Sequence, residues 1–479
     1  MLPFVGFEGC LPSEEEEPSE FTTESVPHHH TSSLPENPHA IVRSSYNVPS
    51  VPDDLLRDMC VTPRTTSDYG PRPTPFPLYS QVGAYYRLPR TLARERLGQA
   101  KKNICNDGAP AFVTGKSTIE LREYQTAAVE RILHEFQRGA GYDCMLEACC
   151  GAGKTVMALN VLARWKKCAA IIVHKDFLLA QWRERIEAFL PDAKIGLVQQ
   201  NVCDYEGKDI VLCMLHSIVQ RRTYPADFFA RVGVVVVDEC HHIAARTFSL
   251  VLRHFPAAHR LGLSATPDRK DGLGRVVNWL LGPVVFRIKR RVTVAAGVTV
   301  EVVKHTPTWR EVRTRAGKIL FTKMITAMVE DEARTALIVQ HIVRLVRVAR
   351  RVLVVSDRRQ HLNDMAALLP KSIVHAQYVG ETTKTRKRAR EEHKSSADVL
   401  FTTYGMGEEG LDVKGLDTLV LTTPRKSLEQ IVGRILRGNG AHPPKIVDIV
   451  DQVSIFIGMG KSRARWFESK GYDVMNFTS

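Results

Sequence analysis

Short apolar runs separated by amphipathic stretches recur along the chain from about residue 120 onward. Leu121 to Arg138 places Tyr124, Ala128, Ile132, Leu133 and Phe136 near helical spacing, which predicts a helix. Runs rich in Val, Ile and Leu follow at 169–173, 210–214, 232–237 and 260–264. They are apolar without alternation, and helical stretches lie between them. That combination predicts a parallel sheet covered on both faces. A basic, strand-like stretch, 286–330, reads as a connector or small insertion. The pattern then repeats: a long helix through 331–350, then runs at 352–356, 372–379, 398–403, 417–421 and 445–450. The expected fold class is α/β, with two tandem parallel-sheet lobes at 118–285 and 331–479.

The first 117 residues lack this periodicity. Residues 1–65 are rich in Pro, Ser, Thr and Glu and read as a mostly disordered tail, with His28–His30 as polar tail rather than a metal site. Residues 66–117 shift to aromatics, prolines and arginines and read as a small accessory module. There Tyr79, Tyr85 and Tyr86 lie among Arg87, Arg90, Arg94 and Arg96. Two readings stand: base stacking with phosphate contacts, or packing of the module against the main body.

Charge adds a partner class. The chain carries +14, yet residues 1–58 hold eleven Asp and Glu against two Arg, so the remainder is strongly basic. A basic body calls for a polyanion, nucleic acid before membrane, because no basic amphipathic helix stands out. No apolar run approaches the ~18 residues of a membrane span, and no basic-then-apolar leader opens the chain, so it reads as soluble and intracellular. Ten cysteines without a C-x-x-C pair fit a reducing compartment and exclude a zinc ribbon, an iron–sulfur site or a disulfide framework.

The chemistry centres on Cys144 to Asn160, CMLEACCGAGKTVMALN. An apolar strand runs into a glycine-rich turn and then into a helix. Gly151 and Gly153, flanking Ala152, let backbone N–H groups curl around an anion, and the helix N-terminus adds its dipole. Lys154 would reach the β/γ-phosphates and the Thr155 hydroxyl would hold Mg²⁺. The pattern G-x-x-x-x-G-K-[ST] is met except at its first position, Ala148.

The run 232–237 ends in Asp238-Glu239-Cys240-His241. Ligand chemistry in open α/β sheets sits at the C-terminal strand ends, where this acidic pair and the phosphate loop would meet. Asp238 would hold Mg²⁺ and Glu239 would activate the attacking water. The second lobe has no phosphate loop of its own. Its segment Gln430 to Arg437, if helical, puts Gln430, Gly433, Arg434 and Arg437 on one face, with two arginines able to neutralise charge on the γ-phosphate.

Together these residues resemble the superfamily 2 helicases, across roughly Leu121 to Val474. LREYQ ending in Gln125 is similar to the adenine-reading element, GAGKT at 151–155 to motif I, and VHKDFLLAQW at 173–182 to motif Ia. DECH at 238–241 resembles motif II, SATP at 264–267 motif III, FTTYGMGEEGLDV at 401–413 motif V and QIVGRILR at 430–437 motif VI. The flavour is that of the xeroderma-pigmentosum-B-type DNA helicases and the related helicases of large DNA viruses, including the poxvirus transcript-release type. After motif III those B-type helicases carry Arg-Glu-Asp where this chain reads Arg269-Lys270-Asp271.

The resemblance implies two RecA-like lobes, ATP with Mg²⁺ in the cleft between them, and a single strand crossing both. It implies that Gln125 reads adenine, that Arg434 and Arg437 complete the site, and that His241, Ser264, Ala265, Thr266 and Gln430 couple hydrolysis to movement. Lys175, His216, Ser217, Thr402 and Thr403 would contact the strand's phosphates. The expected protein is a monomeric ATP-dependent helicase or translocase, on DNA rather than RNA, of 3′→5′ polarity, working with transcription, repair or replication machinery. Two alternatives stay open: a double-strand translocase that displaces proteins or transcripts, and a nucleotide-gated binding module with vestigial catalysis.

Overall fold

The computed structural model describes residues 21–26, 34–64, 74–111, 117–149, 151–220, 224–265, 271–290, 297–315, 317–379, 396–411, 413, 415–425, 427–436 and 441–478. Among these residues the strands gather into two large sheets, a five-stranded sheet and a two-stranded ribbon.

The first large sheet has the spatial order Phe21–Ser25, Val284–Arg290, Cys144–Ala148, His259–Ser264, Val234–Val237, Ala169–Val173, Ile210–Met214, Ile195–Gln199 and Val202–Asp204. Its outermost strand at each end is antiparallel to its neighbour, and all inner pairings are parallel. Val234–Val237 and Ala169–Val173 are buried along their whole length. Burial on both faces is why these strands are apolar without alternation. Helices Glu123–Gln137, Lys154–Trp165 and Asp176–Phe189 supply part of the cover.

The second large sheet is parallel throughout, in the order His375–Tyr378, Val399–Thr403, Val352–Ser356, Thr418–Leu421, Lys445–Asp451, Thr299–His305 and Asp473–Thr478. Helix Glu332–Arg347 packs on it through Ile338, Ile342 and Leu345. Two parallel-sheet lobes are therefore present, as the apolar pattern predicts.

The region between the lobes is not a separate insertion. Val284–Arg290 is an integral strand of the first sheet, and Thr299–His305 sits inside the second, between Lys445–Asp451 and Asp473–Thr478. Its basic composition hid that role, although Val285, Phe286 and Ile288 of the first strand and Val300, Val302 and Val303 of the second are buried.

The tail reading also needs correction. Phe21–Ser25 pairs with Val284–Arg290, while Glu36–Val42 and Tyr46–Val48 join Ser80–Val82, Tyr85–Leu88 and Gln99–Asn103 in the five-stranded sheet. Cys60–Val61 pairs with Phe76–Pro77. The accessory module thus begins near residue 36, and a boundary at 65 cuts through it. Ala40, Tyr46, Val48, Leu55, Met59 and Val61 are all buried, but their partners lie far along the chain, so no local period betrays them.

The module shares one continuous core with the first lobe, where Tyr46, Leu88 and Leu92 join a cluster with Val235, Phe255 and Leu281. At its centre the buried Arg90 donates a bidentate pair to Asp143, 3.0 Å from Nε to Oδ2, and further bonds to the Ala257 and Arg43 carbonyls at 2.8 and 3.1 Å. Arg94 lies over the Tyr142 ring at 4.1 Å, and Arg96 bridges Asp54 and Asp58. Of the two readings of this arginine-rich stretch, packing accounts for these three. Arg87 and Tyr85 remain exposed.

Candidate functional site

The phosphate loop forms where Cys144–Ala148 gives way to helix Lys154–Trp165. Cys150 lies outside the described residues. Gly153 caps the helix at φ 86°, a left-handed conformation that favours glycine, and an added Cβ there would sit 2.4 Å from Gln125 Nε2. Gln125 comes that close because it clamps the loop. Its Nε2 donates to the Ala152 carbonyl at 3.0 Å, and its Oε1 accepts from the Arg122 backbone N–H at 3.0 Å. The side chain expected to read adenine is thus placed on the loop itself. Lys154 Nζ donates to the Ala148 carbonyl at 3.0 Å, and the Cys149 N–H donates to Ile288 at 3.0 Å, so the strand Val284–Arg290 fixes the loop's entry.

Asp238 and Glu239 leave the end of Val234–Val237, one strand removed from the loop, with His259–Ser264 between. Both acidic residues therefore stand at the same sheet edge as Lys154. The Asp238 carboxyl is pushed up to about 6, chiefly by burial and then by Glu239, against the opposing pull of the Trp182 N–H and Lys154. Trp182 Nε1 donates to Asp238 Oδ2 at 2.8 Å. Glu239 adopts φ +46°, a strained backbone for a non-glycine residue, and its buried Oε2 has no hydrogen-bond partner. His241 Nδ1 stands 3.5 Å from that oxygen and 3.2 Å from Ser264 Oγ. Four elements expected to act together, Gln125, the loop, the acidic pair and the His241–Ser264 link, are thus assembled around one sheet edge.

These residues suit a magnesium nucleotide. A glycine loop with open space at the Cβ position of Gly151 can cradle phosphates, and a desolvated acidic pair calls for a cation. Trp182, which donates to Asp238, is the contact of this cluster to which sequence reasoning gave no role of its own. Its signal was present: an indole on the core face of an amphipathic helix needs an acceptor for its N–H.

The second lobe's contribution is arranged differently from expectation. The helix around Gln430 spans only Glu429–Val432, and Arg434 lies in the turn after it, buried, donating to the Leu411 carbonyl at 2.8 Å and to the Glu408 carbonyl. Arg437 and Thr266 fall outside the described residues, as do Arg269 and Lys270, whereas Ala265 is half-buried beside Ser264. Among the expected strand contacts, Thr402 is buried with its hydroxyl on the Tyr378 carbonyl at 2.6 Å, and Ser217 is buried with its Oγ accepting from the Gln200 N–H at 2.9 Å. His216 is exposed and Thr403 half-buried. Lys175 reaches across to the other lobe, where Nζ donates to the Gly405 carbonyl at 3.3 Å.

Known proteins match this arrangement along both lobes. The model described as "Type III restriction enzyme, res subunit" matches residues 118–269, and the "Helicase conserved C-terminal domain" model matches 334–439. The chain belongs to the superfamily 2 helicases. The helicase is 27% identical over 433 residues to a protein of Acanthamoeba polyphaga mimivirus, provisionally named an ATP-dependent RNA helicase, L396; the match covers 88% of this chain and 83% of that one. It is 31% identical over 209 residues to the DNA 3'-5' translocase XPB2 of Sulfurisphaera tokodaii, covering 44% of each. An African swine fever virus protein, QP509L, also provisionally named an ATP-dependent RNA helicase, is 24% identical over 68% of each chain. The crystal structure of T4 UvsW aligns over 92% of this chain and 99% of its own at 17% identity and a TM-score of 0.36.

A superfamily 2 helicase is a nucleic-acid-dependent ATPase, and this one uses ATP. No helix among the described residues is long and apolar enough to cross a membrane. Eight described cysteines are free thiols.

Proposed function

We propose that the helicase is a DNA motor that moves 3′→5′ along a single strand, driven by hydrolysis of Mg–ATP in the cleft beside Asp238 and Glu239. The observation that carries this reading is the buried Glu239 Oε2, which has no hydrogen bond and sits on a strained backbone beside Asp238 at the loop's edge, 3.5 Å from His241 Nδ1. Thr155 and Asp238 would hold Mg²⁺, which supplies charge neutralisation on the phosphates. Lys154 and the loop N–H groups bind and orient the phosphate chain. Glu239 Oε2 takes a proton from the attacking water, and the desolvated surroundings keep other water from competing. Arg434 and Arg437 complete the site when the lobes close, which requires Arg434 to leave the carbonyls it now holds.

DNA is favoured because the match to XPB2, whose name states DNA and 3'-5' translocation, has the higher identity, although the two viral names carry RNA. The basic body suits backbone contacts, so binding would be weakly sequence-selective and strongly salt-dependent. The helicase would work as a monomer alongside transcription, repair or replication machinery.

The test is ATP turnover without nucleic acid and with single-stranded DNA, duplex DNA and RNA, followed by displacement of 3′- and 5′-tailed duplexes. Glu239→Gln should lower stimulated turnover by ~10²–10⁴-fold while a fluorescent ATP analogue still binds. Undiminished turnover in that variant would remove Glu239 as the base, and equal stimulation by RNA would overturn the preference for DNA.

A further inference from the structure

Three histidine rings stand in a column between the hydrolytic box and the contact that joins the two lobes. The rings of His241 and His242 have centroids 4.2 Å apart at 38°, and those of His242 and His174 4.0 Å apart at 36°. At one end, His241 Nδ1 lies 3.5 Å from Glu239 Oε2 and 3.2 Å from Ser264 Oγ. At the other end, the buried His174 closes the strand Ala169–Val173 and precedes Lys175, whose Nζ donates to Gly405 in helix Tyr404–Gly410 of the second lobe. Met406, the next residue of that helix, packs against core residues of both lobes. An unbroken line of contacts thus runs from the catalytic carboxylate to the partner lobe.

We propose that His242 is a positioning residue that passes lobe engagement, sensed at His174 and Lys175, to Glu239 through this stack. Rings with centroids 4.0–4.2 Å apart are in van der Waals contact along the column, so a displacement of one presses on the next. Glu239 is the right receiver. Its backbone is strained at φ +46° and its Oε2 is held by no hydrogen bond, so its orientation answers to small pushes from His241. A proton abstraction needs that orientation to within a fraction of an ångström. When a strand and the second lobe bear on Lys175, His174 shifts, His242 follows, and Glu239 aligns with the water. The direct link from His241 to Ser264 serves the first lobe alone; His242 extends it to the lobe interface.

The experiment compares full-length wild type with His242→Ala, His242→Leu, His242→Phe, Lys175→Met and the double variant H242A/K175M. The readouts are the ratio of stimulated to unstimulated ATP turnover at saturating single-stranded DNA and the DNA concentration giving half-maximal stimulation. His242→Ala and His242→Leu should cut the stimulation ratio about tenfold with the half-maximal concentration within about twofold, while the ring in His242→Phe restores most of it. Adding Lys175→Met to His242→Ala should lower the ratio little further, because both lie on one line.

A wild-type ratio in His242→Leu, equal damage from Leu and Phe, or effects of Lys175→Met and His242→Ala that multiply would each overturn the proposal. Leu fills the space without a flat ring, so the Leu–Phe contrast decides even if His242→Ala does not fold. The inference rests on the strand-stimulated motor reading; wild-type turnover that ignores DNA and RNA alike would sink that reading instead.

Discussion

The two lobes repeat one architecture but treat the carboxylates at their strand ends in opposite ways. In the first lobe Asp238 and Glu239 lie side by side, answered within the lobe by a Trp182 N–H and by Lys154, and Asp238 is pushed up to about 6. In the second lobe, Asp451 ends the strand Lys445–Asp451 and receives a bidentate pair from the fully buried Arg334 at 2.7 and 3.0 Å. Asp448 on the same strand is matched by Arg463 at 2.9 Å. One lobe leaves its negative charge short of cations, and the other closes the account internally. On the proposed reading, a catalytic edge is made on a common scaffold by withholding an arginine, since an under-neutralised carboxylate pair would recruit a metal and leave a base free.

The largest test of this contrast is to create the first lobe's condition in the second. Arg334→Met strands Asp451 in the core and should cost about 3–5 kcal/mol in a denaturant titration. A loss below about 1 kcal/mol would mean that Asp451 escapes to water and that the lobes differ less than their contacts imply.

Each lobe also buries a neutral histidine, which gives matched pH probes. His259 stacks on Phe136 with ring centroids 4.4 Å apart, and burial lowers it to about 4; His361, beside Ser356 Oγ at 3.1 Å, is lowered by burial to about 3. The unfolded chain takes up these protons below the ordinary value of about 6.5 while the folded chain does not, so stability falls as pH drops from about 6.5 towards about 4, by up to about 1.4 kcal/mol per unit for each histidine. His361→Gln should flatten that slope for transitions dominated by the second lobe, read from denaturation midpoints at pH 7, 6 and 5. An unchanged slope would show that His361 becomes charged without unfolding.

The smallest effect belongs to Trp182→Phe, which keeps the packing and deletes one charge-assisted hydrogen bond to Asp238. We expect the Mg²⁺ concentration for half-maximal turnover to rise about tenfold, at unchanged fold stability within about 1 kcal/mol. A magnesium dependence identical to wild type would leave Trp182 as core alone.

Much of this molecule was legible in the chain. The runs at 169–173, 210–214 and 352–356 became the strands Ala169–Val173, Ile210–Met214 and Val352–Ser356, because strands buried on both faces must be continuously apolar. The acidic pair and the phosphate loop came together because both terminate parallel strands of one sheet. Less was visible where burial depends on distant partners. Tyr46 is fully buried, yet its strand pairs with Tyr85–Leu88, so nothing within a short window marks it as core. Arg90 stayed open between phosphate contact and packing because composition cannot distinguish a solvated arginine from one folded onto Asp143. Nor does any local window show that the Thr402 hydroxyl donates to the Tyr378 carbonyl of a neighbouring strand.

The strand Phe21–Ser25 bears on how this protein behaves at high concentration. It covers the basic strand Val284–Arg290, with Phe21 opposite Arg290 and Ser25 opposite Phe286, and Glu24 stands 3.6 Å from Arg287. Phe21 itself is buried against the Tyr124 ring, 4.9 Å between centroids, at the foot of the nucleotide loop. A fragment beginning at residue 118, where the first matched stretch starts, would discard this cover. The bared edge would offer unpaired N–H and C=O groups to the same edge of another copy, so such a fragment would gather into oligomers and precipitate. The strand Phe21–Ser25 thereby keeps the backbone groups of Val284–Arg290 out of reach of neighbouring copies.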